Sequence, residues 1–264
     1  MPLPKIEQLP RADITGSPVT ALPLKDQVAI MVEWAKRCSS RVVCVANVHM
    51  LMESYWDISL RKVLESADLV TPDGMPLVWM MKAMGFQSQD RVAGMDIFLS
   101  ACQQAAEHNI SIYLLGSTQD VLHRMQERLK EDFPTLKIAG VESPPFRPLT
   151  QAEDAELVER INSSGAGFTF VSLGCPKQEY WMADHYGKIQ SVMVGIGGVF
   201  PVYAGIKKHA PKWVRDNGLE WLYRLVQEPR RLAKRYLTTI PPFMWLAVQQ
   251  ITSRRKTQQR LFRF

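Results

Sequence analysis

Among its 264 positions the sequence contains no run of about 18 uninterrupted apolar residues, the length a bilayer-spanning helix needs. The longest candidate, Ile240 to Val248, is too short and opens with Pro241-Pro242. The first 25 residues lack the basic start and apolar run of a signal peptide, so cytoplasmic residence is expected. Cysteine is scarce. Cys38, Cys44, Cys102 and Cys175 are scattered without a CxxC pair, which fits a reduced compartment and argues against a disulfide framework or a zinc site. The five histidines form no HExxH spacing, and neither GxGxxG nor GxxxxGK[ST] occurs, so the dinucleotide and P-loop fingerprints are missing. There is no repeat of fixed period and no low-complexity segment.

What is present is a composition of 46% hydrophobic and 22% charged residues. That is enough for one large α/β domain, or one domain with an appendage. The net charge of +6 is unevenly placed. Residues 1–206 carry 18 Lys/Arg and 23 Asp/Glu, a balance of 18 − 23 = −5; residues 207–264 carry 14 and 3, a balance of 14 − 3 = +11. A basic tail on an acidic body points to an anionic partner: lipid headgroups, nucleic acid or substrate phosphates.

Residues 1–24 hold five prolines and no apolar period, and read as a loose N-terminal arm. From Lys25 the pattern alternates. Helical spacing over Lys25–Ser39 precedes a β-branched run at Arg41–Ala46, then one long helix through Leu64 and a short strand at Asp68–Thr71. Helices at Met75–Met84 and Met95–His108 follow. Further strands are predicted at Ser111–Leu115, Leu136–Val141, Gly167–Leu173 and Ser191–Ile196, separated by helices ending near Glu131, Ser163 and His185. Apolar strands alternating with helices indicate an α/β fold, a Rossmann-like, mostly parallel sheet with helices on both faces. The core is expected to span 25–206, and 207–264 to form a basic helical appendage. Its stripe of Trp213, Leu219, Trp221, Leu222 and Leu225 is flanked by Arg215, Arg224, Arg230, Arg231, Lys234 and Arg235. Arg254, Arg255, Lys256, Arg260 and Arg263 close the tail. Aromatics beside arginines suit an anionic membrane surface, and equally an ordinary helical hairpin with a solvated basic face.

Ligands of open parallel sheets bind beyond the carboxyl ends of the strands. Five turns fall there: Asn47, Thr71-Pro72-Asp73-Gly74, Gly116-Ser117, Gly174-Cys175-Pro176-Lys177, and Gly195-Ile196-Gly197-Gly198. Glycine turns running into helices let backbone amides approach phosphate. Asp73, between a strand and a helix, has two readings: general base or helix cap. Arg91 and Asp96 bracket another helix start, either as an ion pair or with Arg91 gripping an anionic ligand.

These motifs together resemble the WecG/TagA/CpsF glycosyltransferase family over roughly residues 40 to 237. The resemblance rests on Asn47-Val-His-Met-Leu, Ala67-Asp68-Leu-Val-Thr-Pro-Asp73-Gly74, Arg91-Val-Ala-Gly-Met-Asp96, Leu114-Leu-Gly116-Ser and Gly174-Cys-Pro-Lys-Gln178-Glu179. It continues in Gly195-Ile-Gly-Gly-Val-Phe-Pro-Val-Tyr-Ala-Gly205, Ala210-Pro-Lys-Trp and Leu219-Glu-Trp-Leu-Tyr-Arg224-Leu-Val-Gln-Glu-Pro-Arg230-Arg231. What the resemblance implies is an inverting transfer from a UDP-sugar donor to an undecaprenyl-diphosphate-linked sugar, peripheral on the inner face of the cytoplasmic membrane. Asp73 matches the family's proposed base; Asn47, Arg91 and Gln178 match sugar-pocket residues; Arg224, Arg231 and Arg235 match arginines that close over the diphosphate. Gly116, Ser117, Gly174, Lys177, Gly197 and Gly198 are the expected nucleotide-contacting positions. No metal or other cofactor is implied, in keeping with the lack of a DxD pair, and no nucleic-acid partner is expected.

The chain departs from the family pattern at Val45, where Thr is usual, and at Pro201, where Asp usually follows Phe. Both bear on the donor, which in this family ranges over N-acetylmannosamine, its uronic acid and glucose-type sugars. The competing class is a non-enzymatic nucleotide or nucleic-acid binder, whose binding would fall steeply with salt.

Overall fold

The computed structural model describes residues 9–261, with side chains through Arg254. Six strands form one sheet: β3 (Arg41–Ala46), β4 (Leu69–Pro72), β5 (Ser111–Gly116), β6 (Lys137–Glu142), β7 (Phe168–Ser172) and β8 (Val192–Gly195). Their spatial order is β4-β3-β8-β7-β5-β6, and every pairing is parallel. Such a sheet must be covered on both sides, which is why β3 reads as an unbroken apolar run rather than an alternation. Val43, Val45, Ile112, Leu114, Phe168, Phe170, Val192 and Val194 face one layer; Val42, Cys44, Ala46, Tyr113, Leu115, Val171 and Met193 face the other.

The first layer holds α1 (Leu24–Lys36), α5 (Gly94–Glu107), α6 (Gln119–Asp132) and α9 (Val199–Tyr203), through Met31, Phe98, Leu122 and Phe200. Phe98 meets the Phe170 ring edge-on at 5.0 Å and the Tyr203 ring at 5.1 Å, joining α5, β7 and α9. The second layer holds α2 (Val48–Trp56), α3 (Ile58–Ser66), α4 (Met75–Ala83), α7 (Gln151–Ser163), α8 (Lys177–Asp184) and part of α12 (Pro229–Leu261), through Leu51, Leu64, Met81, Leu157, Met182 and Phe243. The neighbours β3 and β8 therefore lead into helices on opposite faces. That divergence opens a crevice at their carboxyl ends, the switch point of this class of sheet.

Local chemistry sets the helix boundaries. Thr150 and Glu153 close a reciprocal capping box on α7, and Thr118 caps α6. The single helix expected through Leu64 is two, because Asp57 ends α2 and its carboxylate, accepting the Ser59 N–H, starts α3. The loose arm is also corrected: within residues 9–24 the chain forms an antiparallel hairpin of β1 (Arg11–Ile14) and β2 (Ser17–Thr20). Ile14 and Val19 are buried, Arg11 donates to the Ala67 and Asp68 carbonyls, and Thr20 Oγ1 accepts the Val70 N–H at 3.1 Å. Residues 1–8 of that arm lie outside the described residues.

The basic segment folds as α10 (Lys212–Asp216), α11 (Glu220–Gln227) and α12. The last continues through Pro241 and Pro242 rather than stopping there. Proline removes a ladder hydrogen bond and crowds the preceding turn, a local cost. Burial of Leu232, Thr239, Phe243 and Ala247 along one stripe offsets it. Gln250 then stitches α12 to the hairpin, donating to the Asp13 carbonyl at 2.6 Å and accepting the Thr15 N–H at 3.0 Å. The side chains of Arg255, Lys256, Arg260 and Arg263 lie outside the described residues.

Candidate active site

The five polar turns line up along the carboxyl edge in the order Asp73, Asn47, Gly197, Gly174 and Ser117, because β4, β3, β8, β7 and β5 lie side by side. Asp73 follows β4, and its backbone N–H donates to the Ala46 carbonyl at 2.7 Å, pinning the turn to the end of β3. The cap of α4 is Gly74, at φ +144°, with no side-chain capping bond. Asp73 is thus not the helix cap. Its half-buried carboxylate accepts no hydrogen bond from the described residues and sits in the field of Glu220, Arg224, Arg91 and Asp96. Burial, reinforced by the negative charge of Glu220 and opposed by Arg224 and Arg91, pushes its pKa up to about 7.

Arg91 reaches this group from the loop before α5. It donates to Glu220 Oε2 at 2.8 Å and to Asp96 Oδ2 at 3.4 Å. Arg224, one helical turn beyond Glu220, closes on Glu220 Oε1 at 2.5 Å. Its guanidinium stands 3.7 Å from the point where a Cβ on Gly198 would lie, so α11 overhangs the turn after β8. Burial works to raise Glu220, but Arg224 and Arg91 outweigh it and hold its pKa low.

A second group forms around α8. Gln178 is buried; Oε1 accepts the Gly197 N–H at 3.2 Å, and Nε2 donates to Glu179 Oε1 at 2.7 Å. Gly174 lies beside Gly197, and Ser172 Oγ donates to the Gly197 carbonyl at 2.8 Å. At the next strand end the Ser117 N–H donates to the Ser172 carbonyl at 3.0 Å. Gly116, at φ +103°, lets this crossing occur, since a Cβ there would stand 2.4 Å from that carbonyl oxygen.

Not every expected residue converges. Asn47 spends its carbonyl oxygen on capping α2 through the Met50 N–H at 3.2 Å. Lys177 begins α8 and is exposed. Arg231 bonds to Glu228, at 3.0 Å through Nε. Arg235 lies deeper, with a buried Nε that meets no hydrogen-bond acceptor among the described residues. Beside it are His49, lowered to about 4 by burial and then by Arg235, and Glu179, raised by burial. His49 Nδ1 and Glu179 Oε2 are likewise buried without a hydrogen bond among the described residues. Glu220, Glu179 and His49 were not singled out from sequence as site residues. The one available signal was the four-residue spacing of Glu220 and Arg224. Among the described residues no three His, Cys, Asp or Glu side chains are placed to share a metal ion.

An acidic group set between guanidiniums thus lies at the carboxyl end of a parallel sheet, where α/β enzymes bind their ligands. The chain belongs to the glycosyl transferase WecG/TagA/CpsF family, whose model matches residues 12–257, and it is a glycosyltransferase. It is 32% identical over 203 residues to the N-acetylglucosaminyldiphosphoundecaprenol N-acetyl-beta-D-mannosaminyltransferase of Bacillus spizizenii strain W23, covering 76% of each chain. To the protein of the same description in Bacillus subtilis strain 168 it is 31% identical over 204 residues, 76% of this chain and 77% of that one.

Proposed function

We propose that the enzyme takes its sugar from a UDP-sugar and places it on an undecaprenyl-diphosphate-linked N-acetylglucosamine, in the synthesis of a cell-surface polysaccharide. The acceptor is the one named for the two Bacillus relatives, and N-acetylmannosamine is on the same ground the first donor sugar to try. The observation that carries the reading is Asp73: a carboxylate without a hydrogen bond from the described residues, with its pKa near neutrality, in the field of Arg91 and Arg224.

Asp73 accepts the proton of the acceptor hydroxyl as that oxygen attacks the anomeric carbon. The bond to the UDP oxygen breaks on the opposite face, which inverts the centre. Asn47, Arg91 and Gln178 orient the sugars. Charge on the departing diphosphate is met by Arg224, Arg231 and Arg235 of the appendage and by the turns at Gly116-Ser117, Gly174-Lys177 and Gly197-Gly198, which makes a metal unnecessary. Residues 25–206 form the catalytic core, and the described part of the 207–264 appendage closes over it.

The appendage also meets the membrane. Trp213, Val226, Leu237, Met244, Trp245 and Val248 are all exposed, while no helix among the described residues is long and apolar enough to cross a bilayer. Leu237, Met244, Trp245 and Val248 fall on the face of α12 opposite its buried stripe, with Arg230 and Lys234 on the same helix. That is the composition of a helix lying in the headgroup layer.

The test is UDP release from a panel of UDP-sugars with a lipid-diphosphate-linked N-acetylglucosamine, for the wild type and Asp73→Asn. Acceptor-dependent turnover with one donor, lost in the variant, is expected. Full turnover by Asp73→Asn removes Asp73 as the base; absence of UDP binding overturns the donor assignment.

A further inference from the structure

We propose that Glu220 is an internal counterion holding Arg224, a cation meant for the donor's diphosphate, against Arg91 of the core, and that an arriving diphosphate takes Arg224 from it. The inference rests on the diphosphate-binding role given above to Arg224.

The carboxylate of Glu220 is divided between two elements. Oε2 binds Arg91 Nη1 of the core at 2.8 Å, and Oε1 binds Arg224 Nη2 of α11 at 2.5 Å. One oxyanion bridging two guanidiniums is the arrangement a phosphate group would make with the same pair. The side chains of Arg91 and Glu220 are only 14% and 19% exposed, so water screens their bond weakly, whereas Arg224 is 47% exposed and open to an incoming ligand.

The surrounding charges make the exchange necessary. Three carboxylates, Asp73, Asp96 and Glu220, face three guanidiniums, Arg91, Arg215 and Arg224, a formal balance of 3 − 3 = 0 with all ionised. A diphosphate approaching a neutral cluster gains little until a carboxylate yields its partner. Asp73 bonds to neither arginine. Asp96 holds Arg91 and Arg215 only at 3.4 and 3.9 Å. Glu220 makes the two shortest bridges, so it sets how tightly an anion can be held there. It acts on donor affinity and does not touch the reacting atoms.

Glu220→Gln keeps the shape and removes the charge. Titration calorimetry with UDP and with inorganic pyrophosphate should show Kd falling, by roughly tenfold, in the variant. A purely structural anchor predicts the opposite sign, because Arg91 and Arg224 would lose their positions and Kd would rise. An unchanged or raised Kd in folded Glu220→Gln therefore overturns the proposal. Should that variant fail to fold, Glu220→Asp takes its place: one methylene too short to span both guanidiniums, it should give a smaller gain, and no gain overturns the proposal equally. If the wild type binds neither probe, the donor assignment itself falls and takes this inference with it. Wild-type binding without a gain in the variants removes the inference alone.

Discussion

The side-chain carbonyl of Gln178 accepts the backbone N–H of Gly197 at 3.2 Å, which ties the start of α8 to the turn after β8. A Cβ on Gly197 would stand 2.7 Å from that same oxygen, so the two residues are fitted to each other. The other end of the amide is held by Glu179, and together they fix the turn that is proposed to receive phosphate.

Gln178→Leu conserves volume and removes both bonds. Leaving the Gly197 N–H and Glu179 Oε1 without partners should cost about 1–3 kcal/mol. The urea midpoint should fall and UDP-sugar turnover should drop with it. An unchanged midpoint would show that the amide contributes nothing to the turn.

Asp73 gives a pH dependence of defined sign. As a base it must be ionised, so the rate should climb through about pH 7 as its proton is lost. Stability moves the other way. Between the ordinary value of 3.8 and about 7 the folded protein retains a proton that the unfolded chain has released, so stability from this group is lost as pH rises through that window. Asp73→Asn should therefore melt higher than the wild type at pH 8 and alongside it at pH 4, while losing about 10²- to 10⁴-fold in rate. Thermal melts at the two pH values check the first half, and a pH–rate profile the second.

Gly116→Ala and Gly85→Ala separate backbone strain from collision. Both sites have positive φ, +103° and +106°. A Cβ at 85 meets nothing within 4 Å, whereas at 116 it strikes the Ser172 carbonyl oxygen at 2.4 Å. Gly85→Ala should cost about 1–3 kcal/mol of strain. Gly116→Ala should cost distinctly more and weaken UDP binding as well, which urea titration and calorimetry can read.

Leu237→Glu and Trp245→Glu place charge on the outer stripe of α12, where the wild-type side chains are 74% and 66% exposed. Binding to anionic phospholipid vesicles in a flotation assay should fall several-fold, with UDP affinity preserved. Retained flotation would move the membrane contact elsewhere.

The sheet was legible because its strands are short, apolar and β-branched, as at Arg41–Ala46, where the predicted and observed limits coincide. The hairpin was not. Ile14 and Val19 are two apolar residues among prolines, and their burial depends on α2, α3, α4 and β4, which sequence neighbours do not reveal. Pro241-Pro242 marks a helix end by local chemistry, yet packing of Phe243 and Ala247 against the core carries the helix through. For Asp73 the local rule favoured a cap, and only the φ of Gly74 shows that the cap is displaced by one residue. Glu220 was invisible for a different reason: its partner Arg91 is 129 residues away.

The hydrogen bonds from Gln250 to Asp13 and Thr15 join positions 237 and 235 residues apart. They can form only after almost the whole chain has been synthesised, although the hairpin's other partners, on β4, are made far earlier. A chain still short of residue 224 carries Asp73 at its strand end with no Arg224 beside it. On the proposed reading the appendage's cation for the diphosphate is thus the last part to arrive, and partly made copies have the carboxylate without it.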